Sequence, residues 1–216
     1  MPSLRQQIAH DEFDYQTLVN CLRDYGRPRD KISDLLRKGA IIRVKKGLYV
    51  FGDDFRRGPI VRELLANLIY GPSYLSLEYA LAYHGLIPER VETLTSVTCG
   101  RSRSFATPIG LFTYHRIPMS AFGPGMDRAQ LDDGRSFLIA TPETALCDTI
   151  VKDRGAGVRT QSELRGYLLD SLRLDPAGLR RLDPNRLEEI AERYRSRKAR
   201  TLGRLVRQWR RKAEGN

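Results

Sequence analysis

The chain has 216 residues, 41% of them hydrophobic, and a formal net charge of +11 from 37 basic and 26 acidic side chains. That length suits two compact bodies and that apolar fraction a real core, which argues against a disordered or low-complexity chain. Cys21, Cys99 and Cys147 lie far apart with no Cys-x-x-Cys pair, so neither a disulfide framework nor a zinc ribbon is expected.

Leu4 to His10 reads as a short first helix. Tyr15, Leu18, Val19 and Leu22 then fall at i, i+3, i+4 and i+7, one face of a second helix, with Asp14 placed to cap its first turn. After the turn Arg23-Asp24-Tyr25-Gly26, a third helix opens at Arg27-Pro28, since proline suits the first helical position. Ile32, Leu35 and Leu36 share its buried face. Gly39 follows Arg37-Lys38, a residue tolerant of positive φ at the stop behind cations on the negative end of the helix dipole.

Ile41-Ile42-Arg43-Val44 and Leu48-Tyr49-Val50-Phe51 are β-branched and aromatic runs, expected to form a two-stranded hairpin around the three-residue tip Lys45-Lys46-Gly47. Helix, helix, tight turn, helix and hairpin is the order of a winged helix-turn-helix, here over residues 1–57. On that reading Arg29, Lys31, Ser33 and Asp34 face base edges or flanking phosphates of double-stranded DNA from the third helix. Arg43, Lys45 and Lys46 hold the adjacent backbone or minor groove, and Arg27, Arg37 and Lys38 clamp phosphates. The plainer alternative is a small module with a solvated basic turn.

Gly52 to Pro59 is polar and rich in breakers, a linker to residues 58–216. A helix carrying Val61, Leu64, Leu65 and Leu68 on its buried face comes next and stops at Gly71-Pro72. Another starts at Ser76 as N-cap, with Leu77, Ala80, Leu81 and His84 in register and Gly85 at its end. Thr93 to Thr98, Leu111 to Ile117 and Phe137 to Ala140 are predicted strands. Gly100-Arg101-Ser102-Arg103-Ser104 and Pro108-Ile109-Gly110 read as separators, and Met119 to Gly134 as an irregular surface loop. Thr141-Pro142-Glu143 starts a helix containing Leu146 and Ile150. From Thr160 the chain is helical, with apolar stripes at Leu187, Ile190, Ala191, Tyr194 and at Leu202, Leu205, Val206, Trp209. The expected class is therefore α+β: a winged helix-turn-helix followed by a mixed α/β domain with a helical C-terminal tail.

Charge is unevenly placed. Residues 1–57 carry 12 basic and 8 acidic side chains, residues 58–179 carry 12 and 13, and residues 180–216 carry 13 and 5. A neutral middle between basic ends suits two surfaces facing polyanions, because counterion release rewards clustered cations. Within the basic C-terminal helices, about residues 180 to 213, Arg200, Arg204, Arg207 and Arg211 form a candidate second basic surface, the alternative being a solvated helix face. No cationic, apolar leader opens the sequence, and no apolar run approaches the ~18 residues of a membrane helix, so a soluble cytoplasmic protein without membrane partners is expected.

The stretch PRDKISDLLRKGAIIRVKKGLYVF, together with YLSLEYALAYHGLIPERVETLTSVT, FATPIGLFTYHRI and ATPETALCDTI, resembles the AbiEi family of antitoxins, the transcriptional-regulator half of bacterial type IV toxin-antitoxin systems. The resemblance spans most of residues 13–151. It implies a repressor that binds inverted repeats in its own promoter through the N-terminal module; if such repeats are bound, paired copies on the site are expected by symmetry. It also implies a C-terminal domain that counteracts a nucleotidyltransferase-like toxin without a stable complex. It transfers no antitoxin residues.

Residues expected of an enzyme are sparse. His10, His84 and His115 are scattered, with no i, i+4 pair for zinc, and no glycine-rich phosphate loop ends in Lys-Ser or Lys-Thr. Glu143, Asp148 and Lys152 share a helix and invite a metal-dependent nuclease reading, but Asp148 and Lys152 at i, i+4 read more simply as a surface pair. Glu78, Tyr79, Tyr83 and His84 either line a pocket or half-fill a core. Ser76 has a capping role to play and no neighbouring histidine in sequence to activate it. No catalytic residue, metal or cofactor is expected. The rivals to a repressor-antitoxin are a ligand-responsive winged-helix transcription factor and an enzyme acting on nucleic acid.

Overall fold

The computed structural model describes residues 2–153 and 158–214. Its first part runs α1 (Pro2–Gln7), β1 (Glu12–Asp14), α2 (Tyr15–Cys21), α3 (Pro28–Arg37), β2 (Ile41–Lys45) and β3 (Leu48–Phe51). Asp14 accepts a hydrogen bond from the Thr17 amide and so caps α2. Pro28 occupies the first turn of α3, and Gly39, at φ +64°, ends it. Ile32 and Leu35 are buried, and Leu36 is half-buried beside them.

The sheet has three strands, not two. β1 adds to the hairpin in the order β1-β3-β2, all antiparallel, with Glu12 opposite Val50 and Asp14 opposite Leu48. Three residues are too few to announce themselves by alternation. The hairpin tip is also shorter than expected: Lys45 is the last residue of β2, opposite Leu48, leaving a two-residue Lys46-Gly47 turn. Gly47 sits at φ +89°, a conformation that side chains disfavour.

Successive residues of a strand point to opposite faces, and β3 is buried on both. Tyr49 and Phe51 join Phe13, Leu18, Leu22, Ile32, Leu35 and Ile41 in one cluster beneath the helices. Leu48 and Val50, with Val44 of β2, point the other way, into a larger cluster built by the rest of the chain. The N-terminal sheet therefore rests directly on the C-terminal part of the protein. The Gly52–Pro59 stretch is pinned rather than loose: the Arg57 amide donates to the Asp11 carboxylate and its guanidinium to the Ala9 carbonyl.

The second part runs α4 (Arg62–Ile69), β4 (Ser73–Leu75), α5 (Leu77–Tyr83), β5 (Leu94–Thr98), β6 (Arg103–Thr107), β7 (Gly110–Arg116), β8 (Met126–Gln130), β9 (Ser136–Ala140) and α6 (Pro142–Lys152). It continues with α7 (Gln161–Gly166), which widens into a π turn over Tyr167–Ser171, then α8 (Pro176–Arg181), α9 (Pro184–Tyr194) and α10 (Arg197–Glu214). The sheet order is β6-β7-β5-β4-β9-β8, parallel at β5/β7 and β4/β9 and antiparallel elsewhere. Mixed strands and helices make the chain α+β.

Two edge strands fall where separators or a loop were expected. β6 and β8 are largely exposed, polar segments, so they lack the apolar alternation that marks a half-buried strand. On α4 the buried residues are Leu65, Ala66 and Ile69, whereas Leu68 is 47% exposed and Val61 precedes the helix. The tail behaves as its periodicity indicates. Leu187, Ile190, Ala191 and Tyr194 of α9 and Leu202, Leu205 and Val206 of α10 are buried, and Trp209 is half-buried against the same cluster. Among the described residues, no helix is long and apolar enough to cross a membrane.

Candidate nucleic-acid interface

With Ile32 and Leu35 facing inward, α3 turns Arg29, Asp30, Ser33 and Arg37 outward, all exposed. Spacing of four residues stacks Arg29, Ser33 and Arg37 along one line of the helix. The Arg29 guanidinium makes no hydrogen bond or ion pair among the described residues, while the Ser33 hydroxyl donates back to the Arg29 carbonyl at 3.1 Å. Asp30, absent from the sequence-predicted set, lies beside this line, 3.9 Å from Arg27.

Two of the predicted base-reading residues sit off the outer line. Lys31 is half-buried, its ammonium 5.4 Å over the ring of Tyr25. Asp34 is held by Arg37 at 2.7 Å and Lys38 at 2.9 Å. The hydrogen bonds from Lys38 and then Arg37 keep its carboxyl below the ordinary carboxylate range. Asp34 is thus engaged by Arg37 and Lys38, the two cations expected from the sequence to clamp phosphates.

The hairpin divides its cations. Arg43 and Lys46 are exposed and have no partner among the described residues. Lys45 is different: the expectation that it faces solvent or phosphate is corrected, because its ammonium donates to the Ile69 carbonyl at the C-terminus of α4. Terminal helix carbonyls lack partners within the helix and carry the negative end of its dipole, so a lysine there satisfies both needs. Burial draws the Lys45 pKa below its ordinary value. Arg135, between β8 and β9, pairs with the buried Glu12 carboxylate of β1 and, at 2.7 Å, with Asp133.

The tail also divides. Arg200, Arg204 and Arg211 are exposed on α10, but Arg207 is committed to Glu188 at 2.8 Å and Asn185 at 3.0 Å, tying α10 to α9.

Among the residues weighed for catalysis, the surface pair of Asp148 and Lys152 is also corrected. Asp148 is 1% exposed and accepts hydrogen bonds from the Ser76 hydroxyl at 2.5 Å and the Tyr194 hydroxyl at 2.5 Å. Burial pushes its pKa up to about 7, against the opposing effect of those two bonds. Lys152 pairs instead with Glu78 at 3.6 Å. Ser76 precedes α5 but makes no side-chain cap, because its hydroxyl serves Asp148. Glu143 is buried too and accepts from the Asp183 amide.

The other four residues disperse. Tyr79 and Tyr83 line an open cleft of about 420 Å³ with Arg62, Glu63 and Glu92, and Tyr83 is 50% exposed rather than core. Glu78 turns to Lys152, and a ring nitrogen of His84 meets the Ala140 carbonyl at 2.7 Å. Among the described residues no group of three His, Cys, Asp or Glu side chains is placed to hold a metal ion. No protein-family model matches the chain, and no curated protein matches it.

Proposed function

We propose that this chain is a winged helix-turn-helix transcriptional repressor that binds double-stranded DNA, and the antitoxin of a type IV toxin-antitoxin system. The observation that carries the DNA-binding reading is α3: its apolar face is fixed in the core while Arg29, Ser33 and Arg37 form an outward line with the Arg29 guanidinium unengaged. A helix of ten residues is about 15 Å long, and its width fits a major groove about 12 Å across. Arg43 and Lys46 then lie on the adjoining hairpin, available to the backbone. The antitoxin role, the nucleotidyltransferase-like toxin as the counteracted partner, and inverted repeats read by paired copies rest on the resemblance to AbiEi antitoxins.

A ligand-responsive regulator is the second reading, favoured by the cleft that Tyr79 and Tyr83 line. Two experiments decide. Titration with the duplex upstream of its own gene should give tighter, salt-sensitive binding than a scrambled duplex. Co-expression with the neighbouring gene product should relieve toxicity. Equal affinity for both duplexes removes the repressor; specific binding without rescue leaves the ligand-responsive regulator.

A further inference from the structure

Tyr79 and Tyr83 stand four residues apart on α5 and so share a face of that helix. That face borders the cleft of about 420 Å³, to which Ala82, Ile87, Pro88 and Val91 add apolar lining. Two arginines and three glutamates complete it, an acidic balance in a chain of net charge +11.

The charges in the lining are unequally engaged. Arg62 donates to the Glu92 carbonyl at 2.6 Å and pairs with the Glu92 carboxylate at 3.4 Å, while Arg90 pairs with that same carboxylate at 2.7 Å. Gly110 lies flat against the Arg62 guanidinium, where a Cβ would stand 2.7 Å from Nη2. Glu89 pairs with Arg173 at 2.9 Å. Glu63, the third carboxylate, has no cationic partner among the described residues; one of its oxygens accepts from the Tyr79 hydroxyl. Tyr79 is fixed in turn, its amide donating to the Thr95 hydroxyl at 3.1 Å. The Tyr83 ring makes T-shaped contacts with His84 at 5.3 Å and Phe137 at 5.9 Å, yet the residue is 50% exposed.

A glutamate in the first turn of α4 suits the positive end of the helix dipole, and a half-exposed tyrosine at a helix end is ordinary. Those explanations treat each residue apart. They do not account for a carboxylate without a cation beside two fixed aromatic rings in an apolar-lined cleft. Carboxylates and tyrosine faces both attract cations. An anion would meet arginines already engaged by Glu92. Among the described residues no three His, Cys, Asp or Glu side chains converge, so an inorganic cation lacks the several ligands it needs.

We propose that this cleft binds a small organic cation with an apolar body, an amidinium or ammonium, its charge on the Glu63 carboxylate and its body against Tyr83. The volume falls in the range of small-molecule sites, roughly 300–1,000 Å³. The proposal deepens the ligand-responsive reading above and rests on its assignment of the cleft as a ligand site.

The test titrates the isotope-labelled full chain with benzamidine, its neutral isostere benzamide and its anionic counterpart benzoate, following amide NMR shifts, and repeats the upstream-duplex titration with each. Benzamidine should shift the amides of Glu63, Tyr79, Tyr83 and Glu92 and bind about tenfold tighter than either analogue. Glu63→Gln, which can still accept from Tyr79, should lose about tenfold in benzamidine affinity and none for benzamide. Tyr83→Ala should lose about threefold, and Tyr83→Phe should restore it. Equal affinity for benzamide, a preference for benzoate, or no shifts in the cleft at millimolar benzamidine overturns the cation site. Benzamidine bound there with duplex affinity unchanged upholds the site and removes the ligand-responsive regulator. A duplex affinity that responds to benzamide and not to benzamidine keeps that regulator and overturns the cation.

Discussion

Lys45 and Lys46 are neighbours of identical chemistry in different surroundings: Lys45 is docked on the end of α4, and Lys46 is exposed. Replacing Lys45 with methionine keeps an apolar stem of similar length but deletes the bond to the Ile69 carbonyl. Hydrogen bonds to charged groups contribute about 1.5–3 kcal/mol, and a cation at a helix C-terminus about 0.3–1 kcal/mol. Lys45 is only half-buried, and charging it there costs some desolvation, so the net loss should fall near 1–2 kcal/mol. At this chain length each kcal/mol moves the thermal midpoint by about 2–4 °C. Lys45→Met should therefore lower the midpoint by several degrees and leave the salt dependence of duplex binding as in the wild type. Lys46→Ala should do the reverse, with an unchanged midpoint and a slope shallower by about 0.9. Calorimetry and fluorescence anisotropy read the two effects separately. If Lys45→Met kept full stability and lost a unit of salt slope, Lys45 would be a phosphate ligand and its docking on α4 would be wrong.

The buried Asp148 makes stability depend on pH in an unusual direction. With its pKa raised from an ordinary 3.8 to about 7, the folded chain holds a proton that the unfolded chain has released across that interval. The group's contribution is fully present below the ordinary value and falls as pH rises to about 7, a change of roughly 4 kcal/mol. Asp148→Asn should remove that decline, so wild type and variant diverge progressively from pH 4 to 7 in denaturant unfolding; parallel curves would refute it. On the tail, Arg200→Ala/Arg204→Ala should weaken duplex binding with a shallower salt slope, by about 0.9 per lost contact. Arg207→Ala should leave binding unchanged, because that guanidinium is engaged by Glu188; a fall in its salt slope would return Arg207 to the DNA-facing set.

Much of the fold was legible because its signals are local. Pro28 and Gly39 bracket α3, Asp14 caps α2, and Thr141-Pro142 opens α6, each through chemistry within one helical turn. The strands that escaped are the three-residue β1 and β4 and the edge strands β6 and β8, where exposure removes the alternation that a buried face imposes. At the candidate site the outward face of α3 was legible, but the contacts of its neighbours were not. The cationic outer line of α3 follows from periodicity. The fate of Lys45 depends on Ile69, 24 residues away, and that of Asp148 on Ser76 and Tyr194, 72 and 46 residues away. No pattern of spacing reports such meetings, and an i, i+4 rule pointed Asp148 to the wrong partner.

The proposed sequence-specific binding requires α3 to enter a major groove. Guanine N7 is exposed there, so methylation interference on the upstream duplex reports that groove directly. Wild type should show interference at guanines within each half-site, and Arg29→Ala should lose it at some of them while retaining backbone protection. Binding that is indifferent to N7 methylation, or an interference pattern identical in Arg29→Ala, would contradict the placement of α3.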